Sequence, residues 1–227
     1  MKNLIITLLT ALCVATSVTA QPAQISEKKA AKIFQTNSKK AAKGDARAQC
    51  MLGNAYIYGL GVARDSTKAV YWYEKAADQG DAEAQGILGA MYLLGQGVPK
   101  DESKSFALLE KAANQGLAEA QVSLALFYLE GVVVEEDEKQ GVAWLERASQ
   151  QGNAAGQIAL GMLCLESTDA EDIRKGVYWI EQAAKNGVPR AQLLLSQMYE
   201  KGQEVTKDPK KAAYWKKKYE KNPAAKN

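Results

Sequence analysis

Five aspartates recur along this sequence at intervals of 36, 36, 35 and 36 residues. They are Asp65, Asp101, Asp137, Asp172 and Asp208. Glycines (Gly44, Gly80, Gly116, Gly152, Gly187) and tryptophans (Trp72, Trp144, Trp179, Trp215) recur in the same register. One unit of about 36 residues is therefore repeated five times, and repeats of this length are typical of helical solenoids, which present an extended surface to partners.

The first 20 residues have the plan of a secretory signal peptide. A short start containing Lys2 precedes an apolar stretch from Leu4 to Val18, and small residues lead to Gln21. An uncleaved membrane anchor is the alternative, but the stretch is shorter than the ~20 residues that span a bilayer. We predict that residues 1–20 are a signal peptide cleaved after Ala20, and that the protein is exported and is either periplasmic or secreted.

Two cysteines, Cys50 and Cys164, remain after the predicted cleavage. They lie three repeats apart. Because packed helices are roughly 8–10 Å from each other, the distance between the two Cα atoms is expected to exceed the ~7 Å limit for a disulfide. They also lack the C-x-x-C spacing of a redox pair. We predict two buried free thiols.

Charge is segregated along the chain. Residues 21–47 carry a net charge of +5, residues 48–205 carry −9 and residues 206–227 carry +6. Neither basic end has the interleaved aromatic residues or the motif of a nucleic-acid reader, so we predict no nucleic-acid partner. The basic ends could tether the protein to anionic lipid or cell-wall polymer. The commoner explanation for basic ends is that their charge keeps two exposed termini soluble. A membrane surface is therefore a less favoured partner than another protein.

The first half of each repeat predicts a helix. Ala48-Gln49, Leu52-Gly53 and Tyr56 are spaced by 4, 5 and 8 residues, which defines one helical face. The residue after each leucine is always small, so we expect close approach of a neighbouring helix. The other copies are Ala84-Gln85, Leu88-Gly89, Tyr92; Ala120-Gln121, Leu124-Ala125, Tyr128; Gly156-Gln157, Leu160-Gly161, Cys164; and Ala191-Gln192, Leu195-Ser196, Tyr199.

The second half of each repeat predicts a loop and an amphipathic helix. The loop glycines of Gly59-Leu60-Gly61-Val62 can adopt left-handed conformations, and each recurring aspartate is expected to cap the second helix. Gly80 and its equivalents end that helix, Asp81 or Asn153 opens the next repeat, and Pro189 fits a first helical turn.

The complete unit resembles the Sel-one-like repeats, which are relatives of the tetratricopeptide repeats. Its pattern is A-x-A-Q-x-x-L-G-x-x-Y-x-x-G-x-G-V-x-x-D-x-x-K-A-x-x-W-x-x-K-A-A-x-x-G, and the resemblance covers residues 44–220. It implies an all-α, right-handed α-solenoid (superhelix) of antiparallel helix pairs, with about five repeats of 36 residues. It also implies an adaptor that binds proteins, with the first helices lining the inner surface.

Two segments flank the repeats. Residues 21–43 are expected to form an N-terminal cap of the solenoid. Within this segment, residues 26–43 favour a helix that resembles a degenerate second helix of a repeat. Residues Pro209 to Glu220 form the last second helix, with Tyr214 and Trp215 facing inward and Lys216 to Lys218 facing outward. We predict that residues 221–227 form a disordered tail.

The sequence contains no histidine, which excludes histidine-based acid–base catalysis and imidazole metal ligation. The resemblance raises one alternative, because some cysteine-rich relatives have been described as β-lactamases. Ser26-Glu27-Lys28-Lys29 fits S-x-x-K, but no S-D-N or K-T-G accompanies it. We predict a protein that is not an enzyme and has no cofactor. A hydrolase of β-lactam or cell-wall substrates is the alternative.

Acidic residues concentrate in the loops of the third and fourth repeats, which a solenoid is expected to place side by side. This predicted acidic edge could dock a basic partner or bind a divalent cation weakly. The alternative, which we favour, is a solvated loop whose acids suit helix N-termini. Its residues are Glu135, Glu136, Asp137, Glu138, Glu166, Asp169, Glu171 and Asp172.

Positions two and six residues past each core leucine vary between copies. We expect these positions to be exposed, with Leu94, Leu126 and Met162 as an apolar strip for a peptide or a partner helix. Burial by adjacent repeats is the equal alternative. The predicted groove residues are Asn54, Tyr58, Ala90, Leu94, Leu126, Glu130, Met162 and Gln197. The overall prediction is an exported, monomeric repeat scaffold that binds another protein or peptide.

Overall fold

The computed structural model describes residues 26–226. The predicted signal peptide, residues 1–20, lies outside the described residues. Within the described range the chain forms α-helices, one short 3₁₀ helix and no strand, which confirms the all-α prediction. The α-helices are α1 (Glu27–Ala41), α2 (Ala46–Tyr58), α3 (Ser66–Asp78), α4 (Ala82–Leu94), α5 (Glu102–Asn114), α6 (Ala118–Glu130), α7 (Glu138–Gln150), α8 (Ala154–Cys164), α9 (Ala170–Lys185), α10 (Pro189–Lys201) and α11 (Pro209–Glu220); the 3₁₀ helix is Pro223–Lys226.

The chain divides into two compact units, which within the described residues are 26–138 and 139–226. In the first unit each helix packs against the next from α1 to α6. In the second unit the same is true from α8 to α11. Loops of three to seven residues join consecutive helices, so packed neighbours run antiparallel. The first helices of the five repeats are α2, α4, α6, α8 and α10, and the second helices are α3, α5, α7, α9 and α11.

The first helices begin at the residues that the sequence predicts. The side chains of Asp45, Asp81 and Asn153 accept hydrogen bonds from backbone N–H groups three residues later, at 2.8, 2.8 and 3.0 Å. These contacts satisfy donors that a helix start otherwise leaves unpaired. At the other end, Gly59 and Gly95 stop α2 and α4 with φ of 72° and 68°, a left-handed conformation that suits glycine.

Three of the predicted caps of the second helices are confirmed, one is corrected, and the cap at Asp137 stays a prediction. Asp65, Asp101 and Asp208 accept from the backbone N–H groups of Lys68, Lys104 and Lys211. In the fourth repeat the cap is Asp169, and the prediction for Asp172 is wrong.

The shorter fourth loop explains this correction. It lacks the Gly-x-Gly-Val sequence, and α9 already begins at Ala170. Asp172 therefore lies in the first turn, where it accepts a hydrogen bond from Ser167 Oγ at 3.0 Å.

Close packing within a repeat depends on the small residue after each core leucine. A Cβ atom on Gly53 would lie 2.4 Å from the Tyr73 ring, and one on Gly161 would lie 2.7 Å from Ile180. The predicted close approach of first and second helices is thus confirmed. The core leucines Leu52, Leu88, Leu124, Leu160 and Leu195 are all buried.

A recurring amide contact, which we call the glutamine ladder, connects successive helices. Gln49 Nε2 donates to the Ala41 carbonyl at the end of α1, and Gln49 Oε1 accepts from Gln79 Nε2 at the end of α3. The carbonyl half of this contact recurs at Gln85, Gln121, Gln157 and Gln192 (3.1, 3.2, 3.2 and 3.1 Å), and the amide half recurs from Gln115, Asn186 and Asn222.

The ladder extends into the segment for which we predicted disorder, residues 221–227. Asn222 donates to Gln192 Oε1 at 3.1 Å and to the Gly187 carbonyl at 2.6 Å, and the 3₁₀ helix follows it. The described part of this segment thus has hydrogen bonds and a 3₁₀ helix where we expected disorder, and Asn227 lies outside the described residues. Asn222 occupies the position that an amide side chain holds in the other repeats, and apolar periodicity could not indicate this.

The aromatic pair on α11 also differs from expectation. Trp215 is buried, but Tyr214 is 54% exposed. The equivalent tyrosines Tyr71 and Tyr178 are exposed as well. Each of these three tyrosine rings packs edge to face against the tryptophan that follows it. The tryptophan enters the packed layer, and the tyrosine beside it points to solvent.

Candidate partner-binding surfaces

The first helices of the first unit carry most of the predicted groove residues. Leu94 on α4 is 38% exposed, which is uncommon for a leucine in this chain. Tyr58 on α2 and Ala90 on α4 are half-buried, and Glu130 at the end of α6 is exposed. These side chains give the first helices an accessible surface of mixed apolar and polar character.

Asn54 on α2 is part of a hydrogen-bonded network. Tyr73 Oη donates to Asn54 Oδ1 at 2.7 Å, and Asn54 Nδ2 donates to Glu83 Oε1 at 3.3 Å. The Glu83 carboxylate also pairs with Arg47, which raises the pKa of that guanidinium. Burial raises the pKa of Tyr73, so its hydroxyl stays protonated and remains a donor. The network fixes the orientation of the Asn54 amide.

The Tyr73–Asn54 part of the network has no counterpart in the next three repeats. The Asn54 position holds Ala90, Leu126 and Met162 in the next three copies, and the Tyr73 position holds Leu109, Leu145 and Ile180. The Asn54 position is therefore polar in the first copy, apolar in the next three and polar again at Gln197 in the fifth.

One predicted groove residue is buried. Leu126 on α6 is only 6% exposed, so at this position the structure has the alternative of burial. Its neighbours Ala125 and Phe127 are buried too, and the Phe127 ring packs against Phe106 at 5.5 Å. In the second unit, Met162 is half-buried and Gln197 is exposed.

Glu130 combines an exposed side chain with a perturbed carboxyl group. Partial burial of the carboxyl, followed by the negative charge of Glu102, raises its pKa. Both effects disfavour the ionised form. A cationic group of a partner placed here would relieve this unfavourable environment.

The acidic loops lie in different units. Glu135 to Glu138 are exposed where the first unit ends. In the second unit, Asp169 accepts the backbone N–H groups of Asp172 and Glu171, which lower its pKa. Lys175 Nζ lies 3.6 Å from Glu171 and 3.7 Å from Asp172. The acids of the fourth loop thus serve a helix start, and one continuous edge across both loops stays a prediction.

Nothing in the described residues groups three or more cysteine or carboxylate side chains as a metal site. Both cysteines are free, as predicted; Cys50 is buried as expected, whereas Cys164 is only half-buried. Burial raises the pKa of each thiol, which favours the protonated form. Ser26 precedes α1 and makes no side-chain capping bond. No helix between residues 26 and 226 is long and apolar enough to cross a membrane.

The helical repeats and the accessible surface of the first helices place this protein in the class of helical repeat scaffolds. The Sel1 repeat model matches the chain at residues 46–81, 82–117, 118–153, 154–188 and 189–218. The chain therefore belongs to the Sel1 repeat family, which confirms the resemblance and the solenoid of about five repeats. Proteins of this family are generally protein-interaction scaffolds and are typically not enzymes.

Solved structures support the same fold. A protective antigen of uropathogenic Escherichia coli with an SLR fold is 29% identical, with a TM-score of 0.77; the match covers 94% of this chain but only 45% of the antigen. A Sel1 repeat protein from Oxalobacter formigenes is 27% identical, with a TM-score of 0.74 and coverage of 94% and 84%. An immunity protein from Pseudomonas aeruginosa is 24% identical, with a TM-score of 0.57 and coverage of 94% and 80%, and shares the fold. Comparison with curated proteins gave no match.

Proposed function

We propose that this chain is an exported scaffold that binds another protein or a peptide through the accessible surface of its first helices. One observation carries the proposal. On α2 and α4 the residues that recur between repeats, such as Leu52 and Leu88, are buried, and the residues that vary, such as Tyr58 and Leu94, remain accessible. Variation at accessible positions above a constant core is what a repeat protein needs to specify a ligand.

The composition of this surface indicates the kind of partner. Leu94 at the end of α4 offers an apolar anchor, and the pair of Arg47 on α2 with Glu83 at the start of α4 offers charged groups of both signs. Because the network through Asn54 holds Glu83 in place, little side-chain entropy is lost when a partner contacts it. A peptide or helix with one apolar side chain flanked by polar groups fits these features.

Photocrosslinking in the native cell tests the partner surface. A photoreactive amino acid at position 94 should capture a discrete protein, because Leu94 is exposed on a first helix. The matched control is position 71 on α3, where Tyr71 is 51% exposed on a second helix. Equal capture at both positions, or no capture from position 94, would contradict the proposal.

Export is supported by the signal-peptide pattern of residues 1–20. N-terminal sequencing of the protein recovered from its native cell should begin at Gln21. Recovery of the intact N-terminus in the cytoplasmic fraction would refute export and would leave the partner surface unaffected.

A further inference from the structure

The last second helix, α11, carries lysines on one face. At 100° per residue, Ala212 and Trp215 mark its buried side. The opposite side is an arc of about 120° that contains five exposed lysines with Tyr214 near its centre. We call this arc the lysine face; its lysines are Lys210, Lys211, Lys217, Lys218 and Lys221.

Among the described residues, these lysines differ from other lysines in their ion pairing. Lysines on other second helices form ion pairs, for example Lys68 with Asp65 at 3.0 Å and Lys185 with Glu181 at 3.6 Å. Within residues 26–226, none of the five lysines of the lysine face forms such a pair. From residue 207 to 221 the chain has seven lysines and two acids, and Asp208 accepts backbone N–H groups at the start of α11. The positive charge is therefore directed to solvent.

Tyr214 adds a fixed aromatic ring to this charge. Its ring packs edge to face against Trp215 with centroids 5.0 Å apart, and Lys218 Nζ lies 5.7 Å from the ring centroid. A tyrosine with an apolar ring and a polar hydroxyl suits the boundary between water and lipid.

We propose that the lysine face docks on the surface of an anionic lipid bilayer. The face has lysines only, and lysine is a point charge that suits a diffuse anionic surface, whereas arginine suits bidentate recognition of single carboxylates or phosphates. Each lysine near such a surface strengthens binding about fivefold. This activity is independent of the proposed partner surface, which lies on the first helices of the other unit.

Vesicle sedimentation of the full chain tests the charge contribution. The variant Lys210→Gln/Lys217→Gln/Lys221→Gln leaves Lys211 and Lys218, which contact the Tyr199 and Tyr214 rings, in place. Binding to phosphatidylglycerol vesicles should weaken about 100-fold and should fall with added salt. Binding to phosphatidylcholine vesicles, which reports any contribution of the apolar N-terminus, should not change.

A matched lysine variant controls for net charge. The variant Lys28→Gln/Lys32→Gln/Lys39→Gln removes the same charge from exposed positions of α1. We expect it to retain binding within about threefold. Equal losses in both triple variants, or no loss in the α11 variant, would overturn the proposal. Thermal melting by circular dichroism checks that each variant is folded.

The tyrosine has a close control in the same chain. Tyr71 is 51% exposed, packs on Trp72 at 5.1 Å and lies under Lys75, as Tyr214 does under Lys218. Tyr214→Ala should weaken vesicle binding several-fold, and Tyr71→Ala should not. If soluble polyglutamate competes as strongly as phosphatidylglycerol vesicles at equal charge, the occupant is an acidic protein segment and the lipid proposal is wrong.

Discussion

Two buried serines have hydroxyl groups without a hydrogen-bond partner in the described part of the chain, Ser105 on α5 and Ser149 on α7. Other repeats place alanine at the same positions, for example Ala69 and Ala113. Burying an unpaired hydroxyl costs roughly 1–3 kcal/mol. These serines therefore weaken the core without a visible structural benefit.

Replacing either serine with alanine should raise the free energy of unfolding by about 1 kcal/mol, as measured by urea denaturation. Ser196 is the control, because its hydroxyl donates to the Ala212 carbonyl at 3.0 Å. Ser196→Ala should lower the free energy of unfolding by about the same amount. Loss of stability in Ser105→Ala would show that its hydroxyl has a partner after all.

Val133 has a backbone conformation that is unfavourable for a β-branched residue, with φ of 68°. It occupies the position of Gly61 and Gly97 in earlier repeats. We expect Val133→Gly to stabilise the fold by about 0.5–1 kcal/mol, because relief of strain exceeds the entropy cost of glycine. The measurement is a thermal melt, and a lower melting temperature would contradict the strain.

The reverse change at Gly61 provides the comparison. A Cβ atom there would lie 2.6 Å from the Ala30 backbone of α1, and φ is 74°. Gly61→Val should therefore destabilise the protein by more than 2 kcal/mol, in line with other changes that combine overpacking with a strained backbone. A mild effect would mean that α1 can move away from this loop.

Glu130 gives a prediction for pH. Its pKa is raised in the folded state by burial and by Glu102, so ionisation opposes folding. The stability linked to a raised pKa is fully present below the unfolded pKa of about 4.3 and is lost as pH rises through the folded pKa. Glu130→Gln should raise the melting temperature at pH 7 and should lose this advantage near pH 3.5. An advantage that is constant with pH would exclude the electrostatic cause.

At the scale of secondary-structure elements, the glutamine ladder joins neighbouring helices through buried amides. Gln85 donates to the Ala77 carbonyl and accepts from Gln115, and it is buried. Gln85→Ala should reduce the free energy of unfolding by about 2–3 kcal/mol, because it leaves a buried carbonyl unpaired and opens a cavity. Gln115→Ala, at an exposed position, should cost less than about 1 kcal/mol. Equal costs would argue against the ladder as a stabilising contact.

Spacing alone predicted most elements but not their exceptions. The aspartate period indicated the caps at Asp65, Asp101 and Asp208, since a cap is a local contact. The period failed to predict the cap in the fourth repeat. Because the fourth loop is shorter, Asp169 caps the helix there and Asp172 does not. An amide residue precedes four of the five recurring glycines, such as Gln79 before Gly80, and this signal for the ladder is missed when only apolar periodicity is read.

The candidate surfaces were harder to predict than the helices, because exposure depends on neighbouring elements. Ala90 and Leu126 occupy equivalent positions, yet Ala90 is half-buried and Leu126 is only 6% exposed. Likewise, the adjacent residues Tyr214 and Trp215 on α11 differ in burial, since Trp215 is buried and Tyr214 is exposed. Periodicity in a single sequence predicts which residues share a helix face. It does not predict which neighbouring elements pack against that face.

At the scale of the whole molecule, one core pattern is repeated and the accessible residues differ between repeats. The first unit offers the surface around Leu94 with the Arg47–Glu83 pair, and the second unit offers the lysine face of α11. Because each surface lies in a different unit, variants can test one without removing the residues of the other. Loss of partner binding and loss of lipid binding can therefore be measured separately.

The most direct test is calorimetric titration of the chain with the protein captured from position 94. Leu94→Asp should weaken the affinity at least tenfold, because it places a charge at the apolar anchor. Tyr71→Asp, an equally exposed change on a second helix, should leave the affinity within about twofold. Unchanged affinity for Leu94→Asp, or an equal loss for Tyr71→Asp, would contradict the claim that the first helices bind the partner.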